Sequence, residues 1–214
     1  MTTSTPSHKL HRRGWLCGWS LDTAAFAEAC RRAFPGEEPI VEPATTAGLE
    51  RLLAATPDAL GGYSLGAWLL LDAAAAGRTL PDDIVLIAPF LAFPAESALG
   101  GRVHRAQLAY MKRWIARDAA AAVADFRQRT GLTLPAAPGD RDSLAEGLDH
   151  LASPGLAALP PAAKAWTAVA GAEDALLDNT VLAQHWPSLK VQPATGHDAP
   201  ALLDAAAKIH RHAL

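Results

Sequence analysis

The feature that most constrains this chain is a run of five residues, Gly62-Tyr63-Ser64-Leu65-Gly66. It reads G-x-S-x-G, the pattern of a sharp strand-to-helix turn that holds a serine at its apex. The residue types follow from the geometry. The apex backbone is strained, and the glycines two positions to either side carry no Cβ, so strand and helix can approach closely. The flanks fit: residues 58–61 read as a short buried strand, and Ala67-Trp68-Leu69-Leu70-Leu71-Asp72 starts a helix. Gly and Ala abound here, so the five residues alone also suit a glycine-rich turn with an incidental serine. What separates the two readings is whether a base, an acid and an oxyanion site lie at matching places.

Such a turn belongs in a parallel sheet, and the rest of the chain supplies the alternation that builds one. Short, mainly apolar runs at 14–17, 39–43, 83–88, 164–170 and 189–192 read as further strands. Between and after them, 22–34, 46–55, 179–185 and 199–212 read as helices, with Asp22 or Ser20 capping the first and Pro35-Gly36 stopping it. From 90 to 161 no strand is predicted, only helical patterning at 101–117, 118–129 and 143–151 around a Pro- and Ala-rich loop at 133–140. The expected fold is therefore α/β: a reduced, mostly parallel sheet of about six strands with helices on both faces and an inserted helical lid. The lid would sit over the C-terminal edge of the strands, where ligands bind in such sheets. The organisation expected is a mobile tail at 1–13, core at 14–89, lid at 90–161 and core again at 162–214.

A serine hydroxyl is a weak nucleophile until a base takes its proton, and that base needs an orienting acid. When these groups follow a G-x-S-x-G serine, they come in the order acid, then histidine. Asp174 sits after the predicted penultimate strand and His197 after the last, so both share the sheet edge that carries Ser64. Glu173 and Asp178 are competing acids. His104, His150, His210 and His212 lack the combination of strand end and chain order. An oxyanion forming at the serine needs two N–H donors. Leu65, at the helix start, is one candidate; the Trp19 N–H in the turn after the first strand is the other, with the Ser20 N–H as an alternative.

Composition removes other classes. Charged residues make up 19% of the chain and the net charge is −3, which argues against nonspecific nucleic-acid binding by the whole molecule. Cys17 and Cys30 form no framework and no C-x-x-C pair, which suits a reducing, cytoplasmic setting. The longest apolar runs are too short for a membrane span, and the polar start does not read as a signal peptide. No cofactor and no metal site is expected; His8, His11 and the His210-x-His212 pair read as solvated.

With these residues in hand, the chain resembles α/β-hydrolases of the pimeloyl-acyl-carrier-protein methyl ester esterase type, which serve biotin synthesis. The likeness lies in Gly18-Trp19-Ser20-Leu21-Asp22, the Ser64 pentapeptide, Ile87-Ala88-Pro89-Phe90, Gly171-Ala172-Glu173-Asp174 and Gly196-His197-Asp198-Ala199-Pro200. It departs from that family in carrying Cys17-Gly18 where a His-Gly pair is common, and in lacking the first two strands of the full pattern. The resemblance implies a lid whose basic residues hold an acidic carrier protein. Read independently, residues 101–131 carry seven basic side chains against two acidic ones, in a chain that is acidic overall. On a helix, Arg102, Arg105, Lys112, Arg113 and Arg117 would fall within an arc of roughly 140°, opposite Leu108, Met111, Trp114 and Ile115. An amphipathic helix with a solvated basic face gives the same pattern.

The function expected is a serine carboxylic ester hydrolase using Ser64, His197 and Asp174, with Trp19 and Leu65 as oxyanion donors. Trp19, Phe90 and Phe126 would line the acyl pocket, and Arg113, Arg117 and Arg127 would dock acyl carrier protein. The expected substrate is the methyl ester of pimeloyl-acyl carrier protein, met by a monomer without nucleic acid or membrane. A general short-chain carboxylesterase, a thioesterase and a non-catalytic binding protein are the alternatives.

Overall fold

Strands β3 (Ala59–Tyr63) and β4 (Ile84–Ile87) are buried along their whole length, because helices cover both of their faces. Around them the computed structural model, which describes residues 10–137 and 140–211, forms one six-stranded parallel sheet of order β2-β1-β3-β4-β5-β6. The other strands are β1 (His11–Leu16), β2 (Glu37–Glu42), β5 (Thr167–Gly171) and β6 (Lys190–Gln192). The edges are β2, which accommodates Pro39, and β6, three residues long.

Helices α1 (Thr23–Ala33), α2 (Thr46–Ala54), α3 (Leu65–Ala75), α7 (Asn179–His185) and α8 (Ala199–Arg211) connect or follow these strands. α1 packs with α8, and α2 with α3. α4 (Arg105–Arg117), α5 (Ala119–Thr130) and α6 (Arg141–Leu151) all lie between β4 and β5, with no named strand among the described residues there. α3 is buried almost all round because α6 lies across its outer face, which explains a helix with no polar stripe.

After β1 the chain builds β2 on one side and then crosses back to place β3 on the other. The loops leaving β1 and β3 therefore diverge and open a crevice at their carboxyl ends, the usual ligand position in such sheets. Trp19 follows β1 and Ser64 follows β3, so the strand order itself brings these two turns together.

Several boundaries differ from expectation. β1 begins at His11, so residues 11–13 belong to the sheet and not to a tail; residues 1–9 lie outside the described part. The reason is Arg13, a side chain that is fully buried yet neutralised. Its guanidinium donates to Glu37 at 2.7 and 2.9 Å, to Asp83 at 2.9 and 3.2 Å and to the Leu60 carbonyl, and lies over the Phe34 ring. Burial alone would lower its pKa, but the two carboxylates more than reverse this, so the charge is retained. α4 starts at Arg105, because Gly101 and Val103 are taken up in bridges to Leu177 and Pro94; Arg102 is off the helix. Residues 164–166 turn before β5 begins at Thr167. His212 lies outside the described residues.

Arg13→Met should leave Glu37 and Asp83 without their cation at the rim of the core. The expected loss is roughly 2 kcal/mol or more of unfolding free energy, read as a lower urea midpoint; an unchanged midpoint would mean that solvent already neutralises the two carboxylates.

Candidate active site

Ser64 stands between β3 and α3 with φ 53° and ψ −113°, a conformation that L-residues rarely adopt. Its neighbours show what holds it there. A Cβ on Gly62 would come within 2.6 Å of the Ala67 backbone, and one on Gly66 within 2.2 Å of the Leu16 carbonyl oxygen. The turn can close only because both positions are glycine. That closeness also presses the first turn of α3 against the end of β1.

Ser64 Oγ lies 2.9 Å from His197 Nε2, and His197 Nδ1 lies 2.7 Å from Asp174 Oδ2. All three side chains are buried. With Asp174 ionised, Nδ1 carries the ring proton and donates to Asp174, leaving Nε2 to accept from the Ser64 hydroxyl. Asp174 is fixed in turn: its Oδ1 accepts from the Leu176 and Leu177 N–H groups at 2.8 and 3.1 Å. The competing acids are engaged elsewhere. Glu173 is exposed, and Asp178 caps α7 and pairs with Arg102, its pKa lowered to about 2 chiefly by the Thr180 hydroxyl.

Tyr63 was not singled out by sequence reasoning. Its hydroxyl donates to the His197 carbonyl at 2.8 Å, and its ring lies 5.5 Å from the imidazole. Burial pushes its pKa well above the ordinary phenol value, so the donor is kept. The signal was present as the x before Ser64, but only the folded sheet shows that this side chain reaches the histidine loop. Cys17, where a histidine would match the family pattern, is buried; burial pushes its thiol up to about 12, so it packs as a neutral group.

Trp19 lines the space beside Ser64, and its indole N–H donates to the Leu144 carbonyl of α6 at 2.9 Å. Gly147 sits mid-helix, where glycine is disfavoured, because a Cβ there would lie 2.4 Å from the indole. Leu65 is the first residue of α3, so its N–H has no acceptor within the helix and belongs to the helix's positive end.

Two cavities meet at this point. A small one of about 20 Å³ is lined by Ser64, His197, Tyr63, Gly18, Leu21 and Leu132 among others. A larger, mainly apolar one of about 450 Å³ lies under α4 and α5, lined by Leu108, Met111, Trp114 and Leu148 among others, with Arg102, Asp125 and Arg129 also on its wall. Trp19, Phe93, Phe126, Leu151 and Leu176 border both and form the partition; the Trp19 and Phe126 rings meet edge to face at 5.1 Å.

Phe90 does not line either cavity. After β4 the chain turns at Ala88, with φ 46°, and sends Phe90 into the core against Trp68; Phe93, three residues later, reaches the partition instead. The basic residues also divide. Arg113 and Arg117 are exposed on α4, with no ion pair or hydrogen bond from their side chains among the described residues. Arg105 donates to the Ala152 carbonyl and Lys112 bridges to Asp149 of α6. Arg127 is half-buried: it donates to the Leu132 carbonyl at 3.3 Å, and Nη1 is buried without a partner among the described residues. It turns inward toward the Leu132 carbonyl, with the Asp198 carboxylate favouring its charge on that side, so it is not part of an outward basic face.

No family model and no curated protein matches the chain. Solved structures do. An esterase from Exiguobacterium antarcticum superposes with TM-score 0.68 at 14% identity, covering 95% of this chain and 90% of that one. BioG from Haemophilus influenzae superposes with TM-score 0.57 at 16% identity, covering 93% and 97%. The chain has the α/β-hydrolase fold. A bottromycin epimerase, BotH, shares that fold at TM-score 0.61 and 13% identity, over 96% of this chain and 90% of that one, so in α/β-hydrolases the chemistry must be argued from the site. No group of three or more potential metal ligands occurs among the described residues, and no helix there is long and apolar enough to cross a membrane.

Tyr63→Phe should remove the donor to the His197 carbonyl and lower unfolding free energy by about 1 kcal/mol. Denaturant unfolding checks this; equal midpoints for both proteins would mean the histidine loop stands without that bond.

Proposed function

We propose that the protein is a serine carboxylic ester hydrolase. The observation that carries this reading is the continuous hydrogen-bonded series Ser64–His197–Asp174, buried at a strained turn beside two cavities. Its polarity suits acyl transfer. His197 Nε2 takes the Ser64 proton as Oγ attacks the ester carbonyl, and Asp174 stabilises the imidazolium that forms. The N–H groups of Leu65 and Trp19 supply the oxyanion donors. His197 then protonates the leaving alcohol, and the same histidine activates the water that hydrolyses the acyl-serine.

The larger cavity, bounded by Trp19 and Phe126, serves as the acyl pocket; its volume falls within the range of small-molecule sites and its wall is mainly apolar. Its natural occupant on this reading is the methyl-esterified acyl chain of pimeloyl-acyl carrier protein. The exposed cations Arg113 and Arg117 on α4, without an ion pair among the described residues, support docking of an acidic carrier. A general short-chain carboxylesterase or thioesterase would use the same groups.

Ser64→Ala should lower kcat for methyl butyrate and methyl octanoate by about a thousandfold or more, followed by titration of released acid; equal rates in wild type and variant would remove the nucleophile assignment. Reversing charge at Arg113 and Arg117 together should reduce kcat/KM for the carrier-bound methyl ester about tenfold more than for the free ester, because rim charges act chiefly on association. Equal loss on both substrates would remove the docking role.

A further inference from the structure

The two cavities differ in size by more than twentyfold, about 20 against about 450 Å³, and only the small one touches the triad. If Ser64, His197 and Asp174 act as an esterase triad, on which this inference rests, the asymmetry has a direction. The leaving oxygen must receive its proton from His197 Nε2, so the alcohol's first atoms lie on the histidine side of Ser64. His197 lines the small cavity and is absent from the wall of the large one. The alcohol therefore lodges in the small chamber and the acyl group points through the partition toward the large one. The free space beside Ser64 and His197 is far smaller than that under α4 and α5, so a bulky alcohol would meet its wall first.

Of the lid residues on its wall, Leu132 borders the small chamber and not the large one. Leu132 follows Gly131, the left-handed residue that ends α5, and its backbone is held on both flanks. Its own N–H donates to the Arg127 carbonyl at 3.3 Å, and Arg127 Nη2 donates back to the Leu132 carbonyl at 3.3 Å. The next residue, Thr133, donates its N–H to Asp198 at 2.8 Å and its hydroxyl to the same carboxylate at 2.9 Å. Asp198 stands just before α8, where an aspartate ordinarily accepts from the helix's own first N–H groups. Here Pro200 has no N–H to offer, and the carboxylate reaches instead across to the lid. Further along, Asp22 N–H donates to the Pro135 carbonyl at 3.1 Å and Ala137 N–H to the Ser20 carbonyl at 3.0 Å. The segment 132–137 is thus a strap fastened to the histidine loop at one end and to the turn after β1 at the other, with Leu132 on the wall of the cavity that Ser64 also lines.

We propose that Leu132, held at the wall of the small cavity by the Thr133–Asp198 pair, is the residue that restricts the leaving alcohol to a methyl-sized group. Leu132 sets the size limit; Thr133 and Asp198 act through it as positioning residues.

The test compares kcat/KM for the methyl and n-butyl esters of octanoic acid, which share one acyl group. Wild type should prefer the methyl ester. Leu132→Ala should raise the butyl-to-methyl ratio about tenfold or more, the scale on which a few methylene groups are discriminated by an apolar pocket, and Leu132→Phe should lower it. Thr133→Val, which loses the hydroxyl donor, should move the ratio in the same direction as Leu132→Ala, while Thr133→Ser should keep it at the wild-type value. A wild type that cleaves both esters equally well, or a ratio that stays within twofold in both Leu132 variants while they still cleave the methyl ester, overturns the proposal. Equal rates for wild type and Ser64→Ala on the methyl ester would instead remove the esterase reading beneath it.

Discussion

The crossing of α3 over the end of β1 is the constraint on which the rest of this structure depends. Gly66 has its Cα pressed toward the Leu16 and Cys17 carbonyls, and Gly62 is pressed against Ala67. With both contacts satisfied, Ser64 is forced to positive φ, a strain of order 1–3 kcal/mol that persists only because the surroundings over-determine it. The strain has a use. It points Oγ out of the sheet toward His197 and leaves the N–H groups that follow it at the positive end of a helix. Any side chain on either glycine would open the crossing and lose both.

Charge is handled differently at the two ends of the sheet. At the carboxyl end, Asp174 is buried, and its oxygens are met by two backbone N–H groups and by His197. This is sufficient for a carboxylate without a partner cation. At the amino end the buried group is a cation, Arg13, and it is met by two carboxylates that reach the surface. The first arrangement fixes a carboxylate against His197; the second ties β1 to β2 and to the loop before β4. His210 of α8 lies 3.1 Å from the same guanidinium, so the last helix joins the tie.

The helices over the site do more than cover it. α6 holds the Trp19 indole through Leu144, α5 contributes Phe126 to the partition, and the strap beyond α5 is fastened to Asp198, Asp22 and Ser20. The cover therefore contacts the loop that carries the histidine and the turn after β1. Phe126 and Leu151 of this cover border both cavities, and Leu132 borders the small one.

Much of this was legible in the residues. The strand-to-helix turn at Ser64, the α/β alternation, and the placement of Asp174 and His197 at strand ends follow from short-range rules, because glycine at a crossing and an apolar run in a parallel sheet are local requirements. Other features were not. Arg13 looked like part of a polar tail, since its neutralisation depends on Glu37 and Asp83, distant in the chain and adjacent only across the sheet. Phe90 looked like a pocket wall until the backbone turn at Ala88 sent it inward and brought Phe93 up in its place. Arg127 looked like part of an outward basic face, Leu132 gave no signal, and Tyr63 showed only as the x before Ser64, because what each does is set by which loop lies opposite. By itself the sequence determined which groups stand at the carboxyl edge of the sheet. The tertiary structure alone decided what surrounds them, because cavity walls are made by side chains remote in sequence that meet only when the lid folds back onto the sheet.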